Sequence, residues 1–149
     1  MQRQKKSFMA FLTLLIVTSL SSAFFAVDLF AAAVGEKAGG GVVFFVDPSG
    51  QHGLIAAESD LAAEADWYDA SETCRSSFVN GYSGWYLPSR GELEQLYRSR
   101  ALIGGLTDGF YWSSSEFSNT SAWLQMFSTG GQYVNDKNSL YRVRPIRAF

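Results

Sequence analysis

The sequence predicts an α+β domain built from an N-terminal β-hairpin, two helices and C-terminal antiparallel strands. Three observations predict it. Two short β-type runs flank a proline-glycine turn between residues 42 and 57, and two stretches of helical apolar spacing each begin at a capping residue. From Tyr111 onward, short strand-like runs are separated by turn residues. Strands followed by helices and then by strands, without repeated β–α units, are typical of this fold class.

The predicted hairpin covers residues 42–57. Val42 to Val46 is a continuous apolar run of β-type residues, and Gly53 to Ala57 is a second short run. The segment 47–50 between them, Asp-Pro-Ser-Gly, is a turn, because proline presets φ and glycine supplies a left-handed position. His52, the one histidine of the chain, follows this turn, and we expect it to face solvent.

The first helix is predicted to begin at Asp66, with Asp69 at the spacing of a capping box. One face is predicted to carry the residues Trp67, Ala70, Ser71, Cys74 and Phe78, and the opposite face Asp66, Asp69 and Glu72. Cys74 is therefore expected to be buried and inert, with pairing to another chain as the alternative. The acidic run from Glu58 to Glu72 could also be interpreted as a calcium site. That alternative is disfavoured, because calcium ligands must converge on the ion and these carboxylates are expected to point outward.

The second helix is predicted from Ser89, which forms a capping box with Glu92. Its apolar stripe consists of Leu93, Leu96 and Tyr97, and the glycine pair at 104–105 closes the region. Three strands are then predicted, over residues 111–116, 122–127 and 141–144, and Pro145 indicates an edge position or a bulge.

The first 33 residues have the pattern of a secretory signal. Arg3, Lys5 and Lys6 precede an apolar run, and Ala31-Ala32-Ala33 supplies a cleavage site after Ala33. Cleavage after Ala23 and an uncleaved membrane anchor are the alternatives, although Asp28 is costly inside a membrane. We therefore expect an exported chain with one domain over residues 34–149, which touches a membrane only through an uncleaved N-terminal segment.

Composition excludes several classes of function. Of the 149 residues, 47% are hydrophobic and 15% aromatic, which excludes a disordered tail. The net charge is −2, and it becomes −4 without residues 1–33, which disfavours general nucleic-acid binding. A single cysteine excludes an intrachain disulfide framework and a zinc site of several thiolates. One histidine and no Gly-x-Ser-x-Gly motif disfavour hydrolytic catalysis.

The candidate ligand-binding residues lie in the last third of the chain. They are three arginines, one lysine, one tryptophan and one glutamine: Arg142, Arg144, Arg147, Lys137, Trp123 and Gln125. On an extended strand Arg142 and Arg144 share a face, and guanidinium groups suit bidentate contacts with sulfate or carboxylate. The alternative is that these arginines pair with acids of the chain itself, such as Glu116 and Asp108. Trp123 is a candidate for stacking on sugar rings, whereas Trp67, Trp85 and Trp112 are expected in the core.

Several short motifs in order resemble one known family. They are Gly40-Gly41-Val42-Val43-Phe44, Trp67-x-x-Ala70-x-x-x-Cys74, Gly84-Trp85-Tyr86-Leu87-Pro88-Ser89, Tyr111-Trp112-Ser113-Ser114-Ser115-Glu116 and Arg142-Val143-Arg144-Pro145-Ile146-Arg147. Together they look like the C-terminal domain family of the Legionella collagen-like adhesin, over nearly all of residues 35–149. The resemblance implies an exported bacterial domain with a compact C-type-lectin-like fold, related to that of formylglycine-generating enzymes.

The resemblance also limits what can be expected. The best-studied relatives are adhesins that bind sulfated polysaccharides, but this chain lacks their collagen-like stalk, so trimerisation by a stalk does not carry over. Formylglycine-type oxidation needs a reactive cysteine pair, and Cys74 is alone. The segment Val134-Asn135-Asp136 lacks the tryptophan of the calcium-binding lectin element, and a turn explains it better. No metal or cofactor is therefore expected.

The sequence thus predicts a non-enzymatic ligand-binding module at the surface or in the periplasm of a bacterium. It would recognise a glycan or another cell-surface ligand, with sulfated glycans among the candidates, through the loop-rich residues 112–147. The alternative is a structural or protein-interaction subunit of the cell envelope without a sugar site. Loss of binding in Arg144→Ala without unfolding would favour the first hypothesis, and unfolding would indicate a structural arginine.

Overall fold

The computed structural model describes residues 32–61 and 64–149. Across these ranges the secondary structure is mixed, in this order: β1 (Lys37–Ala38), β2 (Gly41–Val46), β3 (Gly53–Ala56), α1 (Trp67–Ser76), α2 (Arg90–Arg98), α3 (Arg100–Ile103), β4 (Phe110–Glu116), β5 (Ser121–Met126), β6 (Gln132–Asp136) and β7 (Ile146–Ala148). The predicted α+β class is confirmed, with strands, helices and then strands in the predicted order, but the prediction of a turn at Val134-Asn135-Asp136 is wrong, because these residues lie in β6 and pair with β5. The predicted signal sequence falls almost entirely on residues 1–31, outside the described residues.

The first sheet has the strand order β1-β2-β3-β7, and every neighbouring pair is antiparallel. The predicted hairpin is its centre, with Val42 opposite Ala56 and Val46 opposite Gly53. A Cβ atom at Gly41 would clash with the carbonyl oxygen of Ala56, so glycine permits a close approach of the two strands.

The second sheet is an antiparallel meander with the order β4-β5-β6, in which Trp123 lies opposite Val134. The core beside it includes Leu93 and Leu96 of α2 together with Tyr111 and Phe127. The predicted stripe of the second helix therefore faces the interior, and α2 holds one face of this sheet against the first sheet.

Both predicted helix starts are confirmed. The Asp66 side chain accepts from the backbone N–H of Asp69, and Ser89 and Glu92 form a complete capping box. Cys74 is fully buried, as expected. The prediction that Phe78 lies on the buried face is wrong: α1 ends at Ser76, and Phe78 lies beyond it with 73% of its surface exposed.

The last strand differs from the prediction. Residues 141–144 were expected to form it, but the strand is Ile146–Ala148, which pairs with β3. Tyr141 and Arg142 instead form isolated bridges to Ala65 and Tyr111. This segment crosses from the second sheet to the first, so its alternating sequence does not produce one solvent-facing row.

Across the described ranges, no helix is both long and apolar enough to cross a membrane. The same residues contain no group of three or more histidine, cysteine or acidic side chains that would hold a metal ion.

Candidate functional site

Arg144, one of the predicted binding residues, is almost completely buried. Its Nε donates to Asp60 Oδ1 at 2.7 Å, Nη1 to the carbonyl oxygen of Ala57 at 2.7 Å, and Nη2 to that of Gly105 at 2.5 Å. All three guanidinium nitrogens therefore bond to the chain itself. Arg144 links the segment after β3 to the segment after α3, and in this conformation it presents no donor to solvent.

Lys137 is also buried, with 3% of its surface exposed. Its Nζ donates to Glu116 Oε2 at 2.6 Å and to the carbonyl oxygen of Asn119 at 3.2 Å, and it lies 4.3 Å from the ring centroid of Trp67. A buried ammonium needs such partners, because an unpaired one loses its hydration without compensation. Lys137 thus pairs with Glu116, which the sequence suggested as a partner of the arginines.

Gln125 lies on β5 and is fully buried. Its Nε2 donates to Glu94 Oε2 at 2.5 Å and to the carbonyl oxygen of Gly130 at 3.1 Å. The hydrogen bond from Arg98 is the main cause that lowers the pKa of Glu94, and the bond from Gln125 adds to it. The amide thus ties α2 to the second sheet beneath the surface.

Arg142 and Arg147 are half-exposed but lie apart from Trp123. The Nη1 atom of Arg142 lies 3.9 Å from Asp60 Oδ2. Arg147 donates from Nη1 to the carbonyl oxygen of Gly39 at 3.2 Å, and its guanidinium lies 4.9 Å from the ring centroid of Tyr82. No contact among residues 32–61 and 64–149 joins either arginine to Trp123, so the structure does not gather the predicted residues into one site.

Trp123 is half-buried in β5, the central strand of the second sheet. The guanidinium carbon of Arg90 lies 3.7 Å from its ring centroid, which is a close cation–π contact. The ring of Phe117 meets the indole edge-on, with centroids 5.7 Å apart and an interplanar angle of 82°. Trp123 therefore stands between a basic side chain and a second aromatic ring.

Arg90 is held in place from several directions. Its Nε donates to Gln132 Oε1 at 2.5 Å, and Gln132 Nε2 donates to the carbonyl oxygen of Arg90 at 3.1 Å. Its backbone N–H donates to Ser115 Oγ at 2.9 Å. Among the described residues, neither Nη1 nor Nη2 has a hydrogen-bond partner or an ion pair. The stack and the Nε bond fix the guanidinium plane and leave its two terminal nitrogens free to donate.

Phe117 extends this arrangement outward, with 62% of its surface exposed. The loop that it begins continues through Ser118, Asn119 and Thr120, which are exposed as well. We call the four side chains Arg90, Phe117, Trp123 and Gln132 the Trp123 surface. It combines exposed aromatic area, a fixed guanidinium and an amide group, the chemistry of a polar-ligand recognition surface.

The residues considered for catalysis lie elsewhere. His52 is exposed in the turn between β2 and β3. Cys74 is buried, and burial raises the pKa of its thiol to about 12. The thiolate, which is the reactive form of a cysteine, is therefore strongly disfavoured in the folded chain.

The fold and the Trp123 surface define a small α+β domain with an aromatic-basic patch on its second sheet. The family model of the Lcl C-terminal domain matches residues 50–147, about two thirds of the chain. The chain therefore belongs to the Lcl C-terminal domain family, as its motifs indicated. No curated protein matches the sequence.

Sequence reasoning found Trp123 but missed three members of the Trp123 surface. Arg90 is the first residue of a capped helix, where a basic side chain is unremarkable, and Gln132 lies 42 residues further along the chain. Phe117 lies between the predicted strands 111–116 and 122–127. An aromatic residue followed by the polar residues 118–121 is the signal that could have added Phe117 to Trp123.

Proposed function

We propose that this chain is an exported bacterial module that binds an anionic glycan, a sulfated one in particular, without catalysis. Membership of the Lcl C-terminal domain family supports this proposal, because the resemblance above implies adhesin relatives that bind sulfated polysaccharides. The Trp123 surface is the place where the chemistry of this chain fits such a ligand.

The fixed guanidinium of Arg90 is the observation that carries the proposal. Sulfate and carboxylate oxygens accept two parallel N–H bonds from one guanidinium edge. The Arg90 side chain is already ordered by Trp123 and Gln132. Binding of an anion therefore costs less side-chain entropy at Arg90 than it would at a freely moving surface arginine.

Phe117 supplies the apolar half of the contact. Sugar rings carry a C–H face that packs on aromatic rings, and the Phe117 ring is mostly exposed beside the indole. A saccharide unit over Phe117 with its sulfate toward Arg90 would use both groups at once. Neither contact needs a metal ion.

The negative net charge of the chain means that a polyanion can bind only through a local contact with a basic side chain. The chain carries a formal charge of −2, so its general field does not attract a polyanion. Binding then depends on a short-range ion pair that salt screens, and affinity is expected to fall as ionic strength rises.

The test compares dextran sulfate with dextran, which differ only in the sulfate groups. The chain is expressed in full with its N-terminal segment and purified as the cell processes it. Binding is measured by calorimetry at low and high salt, with and without EDTA. We expect binding to dextran sulfate that weakens with salt, resists EDTA and falls about tenfold in Arg90→Gln.

Lys37→Gln is the matched control, because it removes one positive charge from an exposed residue of the first sheet. Equal losses in Arg90→Gln and Lys37→Gln would mean that binding follows net charge and not the Trp123 surface. Binding that EDTA abolishes would contradict the metal-independent mechanism.

A structural or protein-interaction role in the cell envelope is the second candidate. Its support is apolar exposure: Phe78, Leu102 and Leu140 are each more than half exposed, and a partner that covered any of them would remove apolar surface from water. Absence of binding to any polysaccharide on a glycan array would favour this role.

A further inference from the structure

A cavity of about 320 Å³ lies on the side of the molecule where α2 meets the first sheet. It is bordered by the end of the β2–β3 hairpin, the end of β7 and the middle of α2. Its lining includes the rings of Phe45 and Phe149, the side chain of Leu54 and the polar groups of His52, Glu92 and Gln95. This volume is at the lower end of the range for small-molecule sites.

The walls of the cavity are well fixed. Phe149 exchanges two backbone hydrogen bonds with Gly53, at 3.1 and 3.2 Å. A Cβ atom on Gly53 would lie 2.5 Å from the Phe149 ring, so glycine lets this ring pack directly on the hairpin. Leu54 is opposite Ala148 in the sheet. Strand pairing therefore fixes the backbone that carries these apolar walls.

The three polar groups of the lining differ in their hydrogen bonds, and the His52 imidazole forms none with the described residues. Glu92 accepts from Tyr86 Oη at 2.9 Å and from the backbone N–H of Ser89 at 2.7 Å, so both carboxylate oxygens are used. The Oε1 atom of Gln95 is buried and has no hydrogen-bond partner among the described residues. A buried acceptor without a donor is unfavourable, and the terminal torsion of a glutamine is soft. A turn about this torsion is the movement that would bring the oxygen to the cavity, which Gln95 lines.

We propose that this cavity binds a small neutral ring compound that carries one hydroxyl or N–H donor, which bonds to Gln95. The phenylalanine rings and Leu54 suit a flat apolar body. The basic side chain of the lining is His52, which is exposed in the hairpin turn, and the carboxylate of Glu92 disfavours an anionic ligand. The site shares no residue with the Trp123 surface, so this proposal does not depend on glycan binding.

The test uses p-cresol and toluene as probes, because they share one shape and differ in the hydroxyl donor. Each is titrated into the full isotope-labelled chain, and backbone amide NMR signals are followed. We expect saturable shifts at Leu54, Gln95 and Ala148, with p-cresol bound about fivefold more tightly than toluene.

Two variants separate the roles of the donor contact and the cavity. Gln95→Leu is expected to keep toluene binding and to lose the preference for p-cresol. Ala148→Trp, a change at an exposed position of the rim, is expected to block both probes. Absence of saturable shifts at these residues, or a preference for p-cresol that survives in Gln95→Leu, would overturn the proposal.

Discussion

The Nε atom of Arg144 lies 2.7 Å from Asp60 Oδ1, and the arginine side chain has no surface exposed to solvent. Asp60 Oδ2 also accepts from Tyr111 Oη at 2.9 Å, so this carboxylate joins two buried side chains of the core. The pair connects two positions that are 84 residues apart in sequence. It holds the segment before β7 against the segment after β3. Arg144 therefore stabilises the fold at a place where the sequence suggested a ligand contact.

Arg144→Met is expected to lower the free energy of unfolding by about 3 kcal/mol, because it leaves Asp60 Oδ1 and two carbonyl oxygens without their arginine donor. Urea denaturation measures this loss. Arg98→Met is the control: Arg98 is exposed on α2 and pairs only at the surface, so its change should be within about 0.5 kcal/mol. A loss in Arg144→Met no larger than in the control would contradict a structural role.

The buried thiol of Cys74 predicts a loss of stability in alkaline solution. Its pKa is raised to about 12 in the folded chain, whereas an unfolded thiol ionises near a pKa of about 8.5. The protonated thiol therefore contributes its full stability below about pH 8.5 and loses it as the pH rises toward 12. The decrease reaches about 1.4 kcal/mol per pH unit within this window.

The measurement compares the wild type with Cys74→Ala by urea denaturation from about pH 7 to about pH 10, a range that spans the ionisation of the unfolded thiol. The pKa values of Tyr86 and Tyr111 are also raised by burial, but both tyrosines are present in the two proteins and cancel in the difference. We expect the wild type to lose stability relative to Cys74→Ala above about pH 8.5. A constant difference across the range would show that the thiol does not titrate with folding.

Gln132→Leu tests whether the fixed position of Arg90 matters for binding. The substitution removes the acceptor of Arg90 Nε and keeps the arginine. We expect affinity for dextran sulfate to fall about fivefold, because the guanidinium must then be ordered on binding. Gln51→Leu, at an exposed glutamine of the hairpin turn, is the matched control and should bind as the wild type does.

Phe117→Ala tests the apolar half of the Trp123 surface. Because the ring is mostly exposed, we expect stability to change little and affinity for dextran sulfate to fall about tenfold. Phe78→Ala removes an even more exposed phenylalanine from a segment outside that surface and should leave affinity unchanged. Equal affinities of the two variants for dextran sulfate would show that Phe117 does not contact the glycan.

Local sequence predicted the parts of the fold that depend on near neighbours. The capping box of Ser89 and Glu92 spans three residues, and the turn at Asp47 is set by the proline and glycine beside it. Neither feature needs a contact from a distant part of the chain. The family is also recognisable from the sequence, because its short motifs occur in a fixed order along the chain.

The candidate site was harder to predict because it depends on contacts across the sheets. A strand-like alternation suggested that Arg142 and Arg144 share one exposed face, but Arg144 turns inward to Asp60, which lies far away in sequence. Burial of Lys137 depends in the same way on Glu116 and Trp67. Arg90 reaches Trp123 and Gln132 only because α2 packs against β5 and β6. No local sequence pattern predicts these contacts.

The most direct test of the central claim is an NMR titration of the arginine Nε–Hε groups with a short dextran sulfate oligosaccharide. If the Trp123 surface binds the glycan, the Arg90 signal shifts saturably while the signal of the buried Arg144 stays in place. Formation of a complex with no change at Arg90 would contradict the assignment of the Trp123 surface as the glycan site.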